Sequence, residues 1–194
     1  MIVLASGSAS RKAMLAAAGV AFEAVPPEID ERAVEAALDE SAPAAIAIGL
    51  AQAKALAVSR ERPGRLVLGS DSLVTCDGRR FDKPASRAEA AEHLAWFSSR
   101  TIALHSAAAV ARDNTIVWSA GDVARLAVRS LSAKFIEAYL DAEWPAVSHC
   151  VGVFRIEGPG VQLFESIEGD HFTVLGMPLL PVLAALREWG ELPA

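Results

Sequence analysis

The first candidate for chemistry is a turn of small residues near the start of the chain, Ser6-Gly7-Ser8-Ala9-Ser10-Arg11. Small residues let backbone N–H groups approach an anion, and serine hydroxyls can donate hydrogen bonds to its oxygens. Arg11, in the first turn of the helix that should follow, offers a planar guanidinium to two phosphate oxygens. The segment therefore predicts a phosphate site. The alternative is that Ser6, Ser8 and Ser10 only cap the helix.

A second candidate is Asp71, in the segment Gly69-Ser70-Asp71-Ser72 of an otherwise apolar strand region. A carboxylate in such a place costs free energy unless it is paired, hydrogen-bonded or bound to a metal, so we expect a functional role. The charged residues Asp30-Glu31, Lys54 and Lys83 are, taken singly, more typical of a solvated surface. Together with Asp71 they can supply carboxylates for a divalent metal and cations for a polyphosphate.

A third candidate is Glu157, which lies in the glycine-rich segment Val151-Gly152-Val153-Phe154-Arg155-Ile156-Glu157-Gly158-Pro159-Gly160. The lack of bulky side chains near this acid suits the close approach of a planar ligand. A β-bulge with an exposed glutamate explains the same pattern nearly as well.

The elements that must position these residues alternate between strands and helices. Hydrophobic periodicity predicts a strand at residues 2–4, a helix that stops at Gly19, and a mostly helical stretch over residues 33–59 that Pro43 interrupts. Further strands are predicted at residues 65–75, 79–81, 102–111 and 115–128, a bent strand pair at 151–164, and helices at 87–97, 133–140 and 179–189. The alternation predicts an α/β fold in a single domain over residues 1–194.

Composition excludes several classes of protein. With 194 residues and 53% apolar side chains, the chain can build one sizeable core, which excludes disorder. A net charge of −6 argues against adsorption to a nucleic-acid polymer or an acidic membrane. The two distant cysteines indicate a reducing compartment, and no apolar stretch reaches the roughly 18 residues of a membrane span. The amino terminus lacks the pattern of a secretory signal, so we expect a cytoplasmic protein with no membrane partner.

Common enzyme motifs are missing from the sequence. It contains no G-x-x-x-x-G-K-[ST], G-x-G-x-x-G, G-x-S-x-G or H-E-x-x-H pattern. His149 and Cys150 are adjacent, and on a strand their side chains would point to opposite faces, which disfavours a Cys/His nucleophile pair.

The chain resembles the Maf family of nucleoside triphosphate pyrophosphatases over essentially its whole length. The matching segments, in family order, are Leu4-Ala5-Ser6-Gly7-Ser8 with Arg11, Asp30-Glu31, Ala51 with Lys54-Ala55, Gly69-Ser70-Asp71-Ser72, Asp82-Lys83-Pro84, Phe135 with Tyr139, Glu168-Gly169-Asp170 and Leu175-Gly176-Met177-Pro178-Leu179. The resemblance implies a Maf/Ham1 (ITPase-like) α/β fold, with a mixed, elongated sheet flanked by helices. It also implies a homodimer and cleavage of a nucleotide to its monophosphate and pyrophosphate, with Mg²⁺ or Mn²⁺ as cofactor.

The same resemblance implies roles for individual residues. It assigns catalysis to Asp71, Lys54 and Lys83, with Asp71 as proton acceptor, substrate binding to Ser6, Ser8 and Arg11, and metal binding to Glu31 and Asp71. In this scheme water activated near Asp71 attacks the α-phosphorus, while the metal and the cations offset negative charge. Positioning and electrostatics would supply most of the rate.

Glu157 is the best clue to the base of the nucleotide. Family members that resemble the UTP/dTTP-cleaving group usually have Gln here, whereas a carboxylate accepts two hydrogen bonds from the N1–H and N2–H donors of guanine. It also complements the positive charge of an N7-methylated ring. The segments His149-Cys150, Phe154, Glu157-Gly158 and Leu163-Phe164-Glu165 resemble the 7-methyl-GTP-cleaving subgroup.

Two specificity positions depart from both groups. Ser10 stands where the 7-methyl-GTP subgroup has Trp and the other group has Arg, and Ser72 replaces the usual Thr or Gln. A stacking or cationic contact to the base is thus missing at Ser10, and these changes are compatible with a base preference that is broad or unlike that of either group.

We therefore expect a house-cleaning enzyme that removes modified or unwanted nucleotides, with 7-methyl-GTP ahead of UTP and dTTP. The alternative from another class is a non-catalytic nucleotide-binding regulator of cell division, since family members have been associated with septum formation. The joint presence of Asp71, Lys54 and Lys83 argues against it, because a pure binding protein has no need of Asp71. A structural domain with no ligand requires every charged match to be coincidental.

Overall fold

The computed structural model describes residues 1–38, 40 and 42–193, and within them the chain is a mixture of strands and helices. The strands are β1 (Ile2–Ala5), β2 (Phe22–Ala24), β3 (Val67–Cys76), β4 (Arg79–Phe81), β5 (Thr101–Arg112), β6 (Thr115–Val128) and β7 (Phe164–Glu168). The helices are α1 (Ala9–Ala17), α2 (Glu31–Leu38), α3 (Pro43–Ser59), α4 (Arg87–Phe97), α5 (Ala133–Glu143), α6 (His171–Val174) and α7 (Leu179–Glu188), with short 3-10 helices at Ala146–His149 and Pro159–Leu163. The predicted α/β class is confirmed.

The strands form one mixed sheet in the order β2-β1-β3-β5-β6-β7, with β4 paired to β3. Strand β1 runs parallel to both β2 and β3. The β3–β4 and β6–β7 pairs are antiparallel. Among the described residues, no helix combines the length and the apolar character that crossing a membrane requires.

The chain divides into two compact units. Unit 1 contains the described residues of Met1–Ser72, His105–Asp122 and Asp170–Ala194, and unit 2 contains Leu73–Leu104 and Val123–Gly169. Strands β3, β5 and β6 contribute residues to both. That residues 1–194 act as a single domain stays a prediction, and residue 194 lies outside the described residues.

In unit 1, the parallel strands place the ends of their apolar segments side by side, with Ala5 of β1 opposite Gly69 of β3. Buried side chains from the strands, from α1 and α7 and from the adjoining loops form a hydrophobic core: Ile2, Leu4, Met14, Leu15, Val20, Leu66, Leu68, Ala108, Val110, Met177, Leu179, Val182 and Leu186. Helix α1 ends before Gly19, whose φ of 73° suits a residue without a side chain. The core thus fixes the loop between β1 and α1.

The predicted interruption of the helical stretch at Pro43 is confirmed. Helix α2 ends at Leu38 and α3 begins at Pro43, where a missing backbone N–H costs no helical hydrogen bond. Helix α2 begins at Glu31, two residues earlier than predicted. Positions 39 and 41 of the predicted stretch lie outside the described residues.

In unit 2, a tight turn and an aromatic cluster organise the chain. The predicted hairpin turn is present between β3 and β4, with positive φ at both Asp77 (50°) and Gly78 (76°). The ring of Phe81 packs 4.6 Å from that of Phe97 and 5.1 Å from that of His93. Helices α4 and α5 pack against each other.

The predicted bent strand pair at residues 151–164 is wrong. The segment forms turns and the 3-10 helix Pro159–Leu163, and strand β7 begins only at Phe164. Val153 has a φ of 57°, outside the strand region, and Pro159 has no N–H to give to a ladder. His149 ends a 3-10 helix, so the strand-based argument about His149 and Cys150 does not apply.

Candidate active site

The three serines of the turn after β1 make three different hydrogen bonds. Ser8 is the N-cap of α1, and its Oγ accepts a hydrogen bond from the N–H of Arg11 at 3.4 Å. Ser6 Oγ accepts from the N–H of Ser8 at 3.1 Å, and Ser10 Oγ donates to the carbonyl oxygen of Leu175 at 3.0 Å. The cap-only alternative therefore describes Ser8 alone. The first-turn N–H groups of a helix have no intrahelical acceptors and carry partial positive charge, so this helix start can receive an anion.

Arg11 is held at the same helix start by a backbone carbonyl. Its Nε donates to the carbonyl oxygen of Gly176 at 3.1 Å. Burial lowers the pKa of Arg11, and the nearby carboxylates of Asp71 and Glu31 oppose that shift. The pKa of an arginine guanidinium is so high that Arg11 remains protonated near neutral pH despite this shift. Arg11 thus brings a fixed positive charge close to the two acids.

Lys54 joins those two acids. Its Nζ lies 2.5 Å from Asp71 Oδ1 and 2.7 Å from Glu31 Oε1. Lys54 and Asp71 are only 7% and 6% exposed, whereas half of the Glu31 side chain is exposed. Within the described residues, Asp71 Oδ2 has no hydrogen-bond partner. The buried carboxylate is thus paired through one oxygen, and its second oxygen is available to a ligand.

Gly69 explains how α3 comes close enough for Lys54 to reach Asp71. A Cβ added at Gly69 would lie 2.2 Å from the Ala51 carbonyl oxygen and 2.6 Å from the Ala55 nitrogen. The backbone of α3 therefore rests directly on β3 where β3 has no side chain. Lys54 lies one residue before Ala55 on that helix, and Asp71 follows Gly69 by two residues.

Ser72, a predicted specificity residue, belongs to a chain of hydrogen bonds in unit 1. Its Oγ lies 2.9 Å from Ser106 Oγ, and Ser106 Oγ donates to the carbonyl oxygen of Thr173 at 2.8 Å. Thr173 Oγ1 in turn donates to Asp122 Oδ2 at 2.6 Å. Because the single proton of Ser106 goes to Thr173, Ser72 must donate to Ser106, which leaves its own lone pairs for a ligand. Sequence reasoning missed Ser106, Thr173 and Asp122, since isolated polar residues in these segments give no signal.

The carboxylates suit a hard divalent cation better than a zinc-type site. No group of three or more His, Cys, Asp or Glu side chains within the described part of the chain could hold a metal by itself. Glu31 and Asp71 both reach one ammonium nitrogen, so their oxygens lie near each other. Mg²⁺ is commonly held by one or two carboxylates, with phosphate oxygens and water completing its octahedron. The donor set fits that pattern.

Unit 2 holds the two remaining predicted site residues, Lys83 and Glu157. Burial raises the pKa of Cys150, the Glu157 carboxylate adds to that rise, and the charges of Arg155 and Lys83 oppose it. Lys83 and Glu157 therefore both lie near the thiol of Cys150. Both are exposed, and neither has a hydrogen bond or ion pair with the described residues.

The structure thus sorts the predicted site residues into two groups. Unit 1 contains Ser6, Ser8, Ser10, Arg11, Glu31, Lys54, Asp71 and Ser72, and unit 2 contains Lys83 and Glu157. In unit 1 the polar groups lie beyond the carboxyl end of β1, where open α/β sheets generally bind ligands. This defines an α/β protein with an anion-receiving helix start beside a lysine-paired carboxylate.

The particular family follows from comparison with known proteins. The model of the family described as Maf-like protein matches residues 1–189, so the chain belongs to the Maf family. The resemblance noted in its motifs is confirmed.

Named relatives cover nearly the whole chain. A nucleoside triphosphate pyrophosphatase from Nitrobacter hamburgensis is 49% identical and aligns over 98% of this chain and 95% of its own length. A 7-methyl-GTP pyrophosphatase from Mesorhizobium japonicum is 47% identical over 98% of this chain and 97% of its own. Among solved structures, a HAM1 protein from Coxiella burnetii is 21% identical, with a TM-score of 0.46, over 66% of this chain and 72% of its own.

Proposed function

We propose that the protein is a nucleoside triphosphate pyrophosphatase that hydrolyses a nucleotide to its monophosphate and pyrophosphate. Its membership of the Maf family and the name of its Nitrobacter relative support this proposal. The observation that carries it is the contact of Lys54 Nζ with both Asp71 and Glu31, beside the guanidinium of Arg11. A buried carboxylate with one free oxygen and two adjacent cations suits hydrolysis of a polyanion.

The reaction needs one proton acceptor and several positive charges. Lys54 holds Asp71 through Oδ1, and the Asp71 carboxylate takes a proton from the attacking water. The new bond forms between the water oxygen and the α-phosphorus, the bond from that phosphorus to the bridging oxygen breaks, and pyrophosphate leaves with the electron pair. Arg11 and the first turn of α1 bind phosphate oxygens and offset the charge that develops on them.

The proposal includes a divalent cation, Mg²⁺ or Mn²⁺. Glu31 and Asp71 would hold it together with phosphate oxygens of the substrate. When bound, it would neutralise phosphate charge and help to orient the triphosphate.

For the base we propose 7-methyl-GTP as the favoured substrate. The exposed carboxylate of Glu157 is free to accept two hydrogen bonds from a guanine edge, and the Mesorhizobium relative carries the matching name. Lys83, whose charge acts on the same Cys150 thiol as that of Glu157, supplies a further positive charge for the substrate. Ser72, with its lone pairs free for a ligand, and Ser10, with its hydroxyl, stand where other family members have their usual specificity residues.

Homodimer formation and a cytoplasmic location complete the proposal, as the family resemblance and the cysteine content suggest.

The experiment is pyrophosphate release from 7-methyl-GTP, GTP, UTP, dTTP and CTP, with Mg²⁺ or Mn²⁺ and with EDTA. We expect release that EDTA abolishes and that is fastest with 7-methyl-GTP. Preference for UTP or dTTP would refute the role of Glu157 in base choice and keep the reaction. No release from any nucleotide would refute the proposed activity and favour a nucleotide-binding regulator instead.

A further inference from the structure

The segment that carries Glu157 contains a backbone conformation that needs outside support. Val153 has a φ of 57° and is completely buried. The left-handed region is unfavourable for a β-branched residue, and such a conformation persists only when its surroundings hold it in place. The contacts around Val153 therefore determine the path of the chain that leads to Glu157.

The first of these contacts comes from Tyr139 on α5. Its phenolic oxygen donates a hydrogen bond to the carbonyl oxygen of Val153 at 3.0 Å, and Tyr139 is 4% exposed. Burial raises the pKa of Tyr139, so the phenol keeps its proton and remains a donor. Phe135, one turn earlier on α5, stacks on Tyr139 with ring centroids 6.2 Å apart.

The second contact lies one helical turn further along α5. Glu143, 4% exposed, accepts two hydrogen bonds from Arg155, from Nε at 2.8 Å and from Nη2 at 3.0 Å. Tyr139 and Glu143 are four residues apart and so lie on the same face of the helix. The backbone at Gly160 packs closely against the backbone of Arg155. A Cβ added at Gly160 would lie only 2.5 Å from the Arg155 carbonyl oxygen.

These contacts fix residues on one side of Glu157 and leave its own side chain unpaired. Glu157 follows Arg155 by two residues and has no hydrogen bond within the described part of the chain. The contacts of Tyr139 and Glu143 therefore fix the place at which the Glu157 side chain leaves the backbone and the direction in which it starts. A ligand that needs two hydrogen bonds from one carboxylate is more sensitive to this direction than a ligand that needs one.

We propose that Tyr139 and Glu143 are positioning residues that set base selectivity by holding the Val153–Arg155 backbone and thereby the carboxylate of Glu157. The inference rests on the proposed function, since it concerns the choice of the nucleotide proposed there as substrate. It assigns to one face of α5 a role in substrate choice without contact to the substrate.

The test compares binding and turnover of 7-methyl-GTP and UTP in the wild type, Tyr139→Phe and Glu143→Gln. Each variant removes one hydrogen-bonding or charged group at nearly constant shape. The matched control is Glu137→Gln, the same chemical change on the same helix, where Glu137 pairs instead with Arg87 at 2.8 Å. Inorganic tripolyphosphate, which has no base, serves as a competitor that reports on the phosphate site alone.

We expect the ratio of the two dissociation constants, and the ratio of the two kcat/KM values, to move about tenfold towards unity in both variants. Inhibition by tripolyphosphate and the ratios of Glu137→Gln should stay at the wild-type values. A merely structural role lowers the active fraction of the protein. The kcat/KM values for both nucleotides then fall by the same factor, and the two ratios stay unchanged. Equal losses of kcat/KM for 7-methyl-GTP and UTP would therefore overturn the inference and leave the proposed function intact.

Two other outcomes are also decisive. If Tyr139→Phe fails to fold, unchanged ratios in Glu143→Gln suffice to overturn the inference, and changed ratios support it. A wild-type protein that neither binds nor cleaves either nucleotide overturns both the inference and the proposed function.

Discussion

Replacing Lys54 by Met tests whether its ammonium group holds the two carboxylates of the site together. The Nζ atom lies 2.5 Å from Asp71 Oδ1, and both side chains are almost fully buried. Removing one partner of a buried ion pair leaves an uncompensated charge, which typically costs about 3–5 kcal/mol. The exposed Glu31 loses little, because solvent screens its charge. We therefore expect Lys54→Met to lower the free energy of unfolding by about 3–5 kcal/mol.

The partner variant should behave differently. In Asp71→Asn, Lys54 keeps Glu31 at 2.7 Å, so no unpaired buried charge remains. We expect a cost of about 1.5–3 kcal/mol, the scale of one lost hydrogen bond to a charged group. In the double variant neither charge of the buried pair is left alone, so its stability should exceed that of Lys54→Met. The coupling energy between the two positions should therefore exceed the cost of Asp71→Asn alone.

The assay is urea unfolding followed by circular dichroism for the wild type, the two single variants and the double variant. Arg87→Met serves as a control, because its exposed pair with Glu137 should contribute far less than the buried one. A loss below about 1 kcal/mol in Lys54→Met would refute the buried pairing. Additive effects of the two single substitutions would refute it equally.

Three further predictions concern turnover, packing and pH. Asp71→Asn should fold and lose about 10²–10⁴-fold in kcat, measured by pyrophosphate release, because it removes the proton acceptor; wild-type turnover would exclude that role. Gly69→Ala should lower both turnover and stability, by about 1–3 kcal/mol in unfolding free energy, because its Cβ would meet the Ala51 carbonyl oxygen at 2.2 Å. Gly121→Ala is the matched control, because its Cβ would meet nothing closer than the Ile48 side chain at 3.3 Å, and equal effects would contradict the argument. Burial lowers the pKa of His93, so the unfolded chain binds more protons than the folded one below about pH 6.5, and stability should fall as the pH drops through that value. His93→Gln should flatten the dependence of the melting temperature on pH. An unchanged dependence would mean that other groups cause it.

Local patterns were sufficient to predict many elements. Helix α4 begins and ends where the sequence predicts, because Ser86 accepts from the N–H of Glu89 at 3.1 Å while the Glu89 carboxylate accepts from the N–H of Ala85 at 2.7 Å. The Asp77-Gly78 turn was equally predictable, since both residues tolerate positive φ. In each case the stabilising groups are only a few residues apart in the chain.

The predictions failed where distant residues decide the conformation. The segment that contains Val153 has the glycines and β-branched residues of a bent strand, but hydrogen bonds to α5 hold it in turns. Asp71 and Lys54 could be identified by type, yet their contact depends on the glycine that lets α3 rest on β3. The partners of Ser72 could not be found at all, because Ser106 and Thr173 become neighbours only through the fold.

The most direct measurement of the central claim is the fate of labelled water during turnover. The wild-type protein is incubated with 7-methyl-GTP and Mg²⁺ in H₂¹⁸O, and the products are identified by mass spectrometry. Attack on the α-phosphorus by water that Asp71 activates predicts one ¹⁸O atom in the nucleoside monophosphate and none in the pyrophosphate released with it. A labelled pyrophosphate, or a diphosphate with orthophosphate as products, would contradict the account.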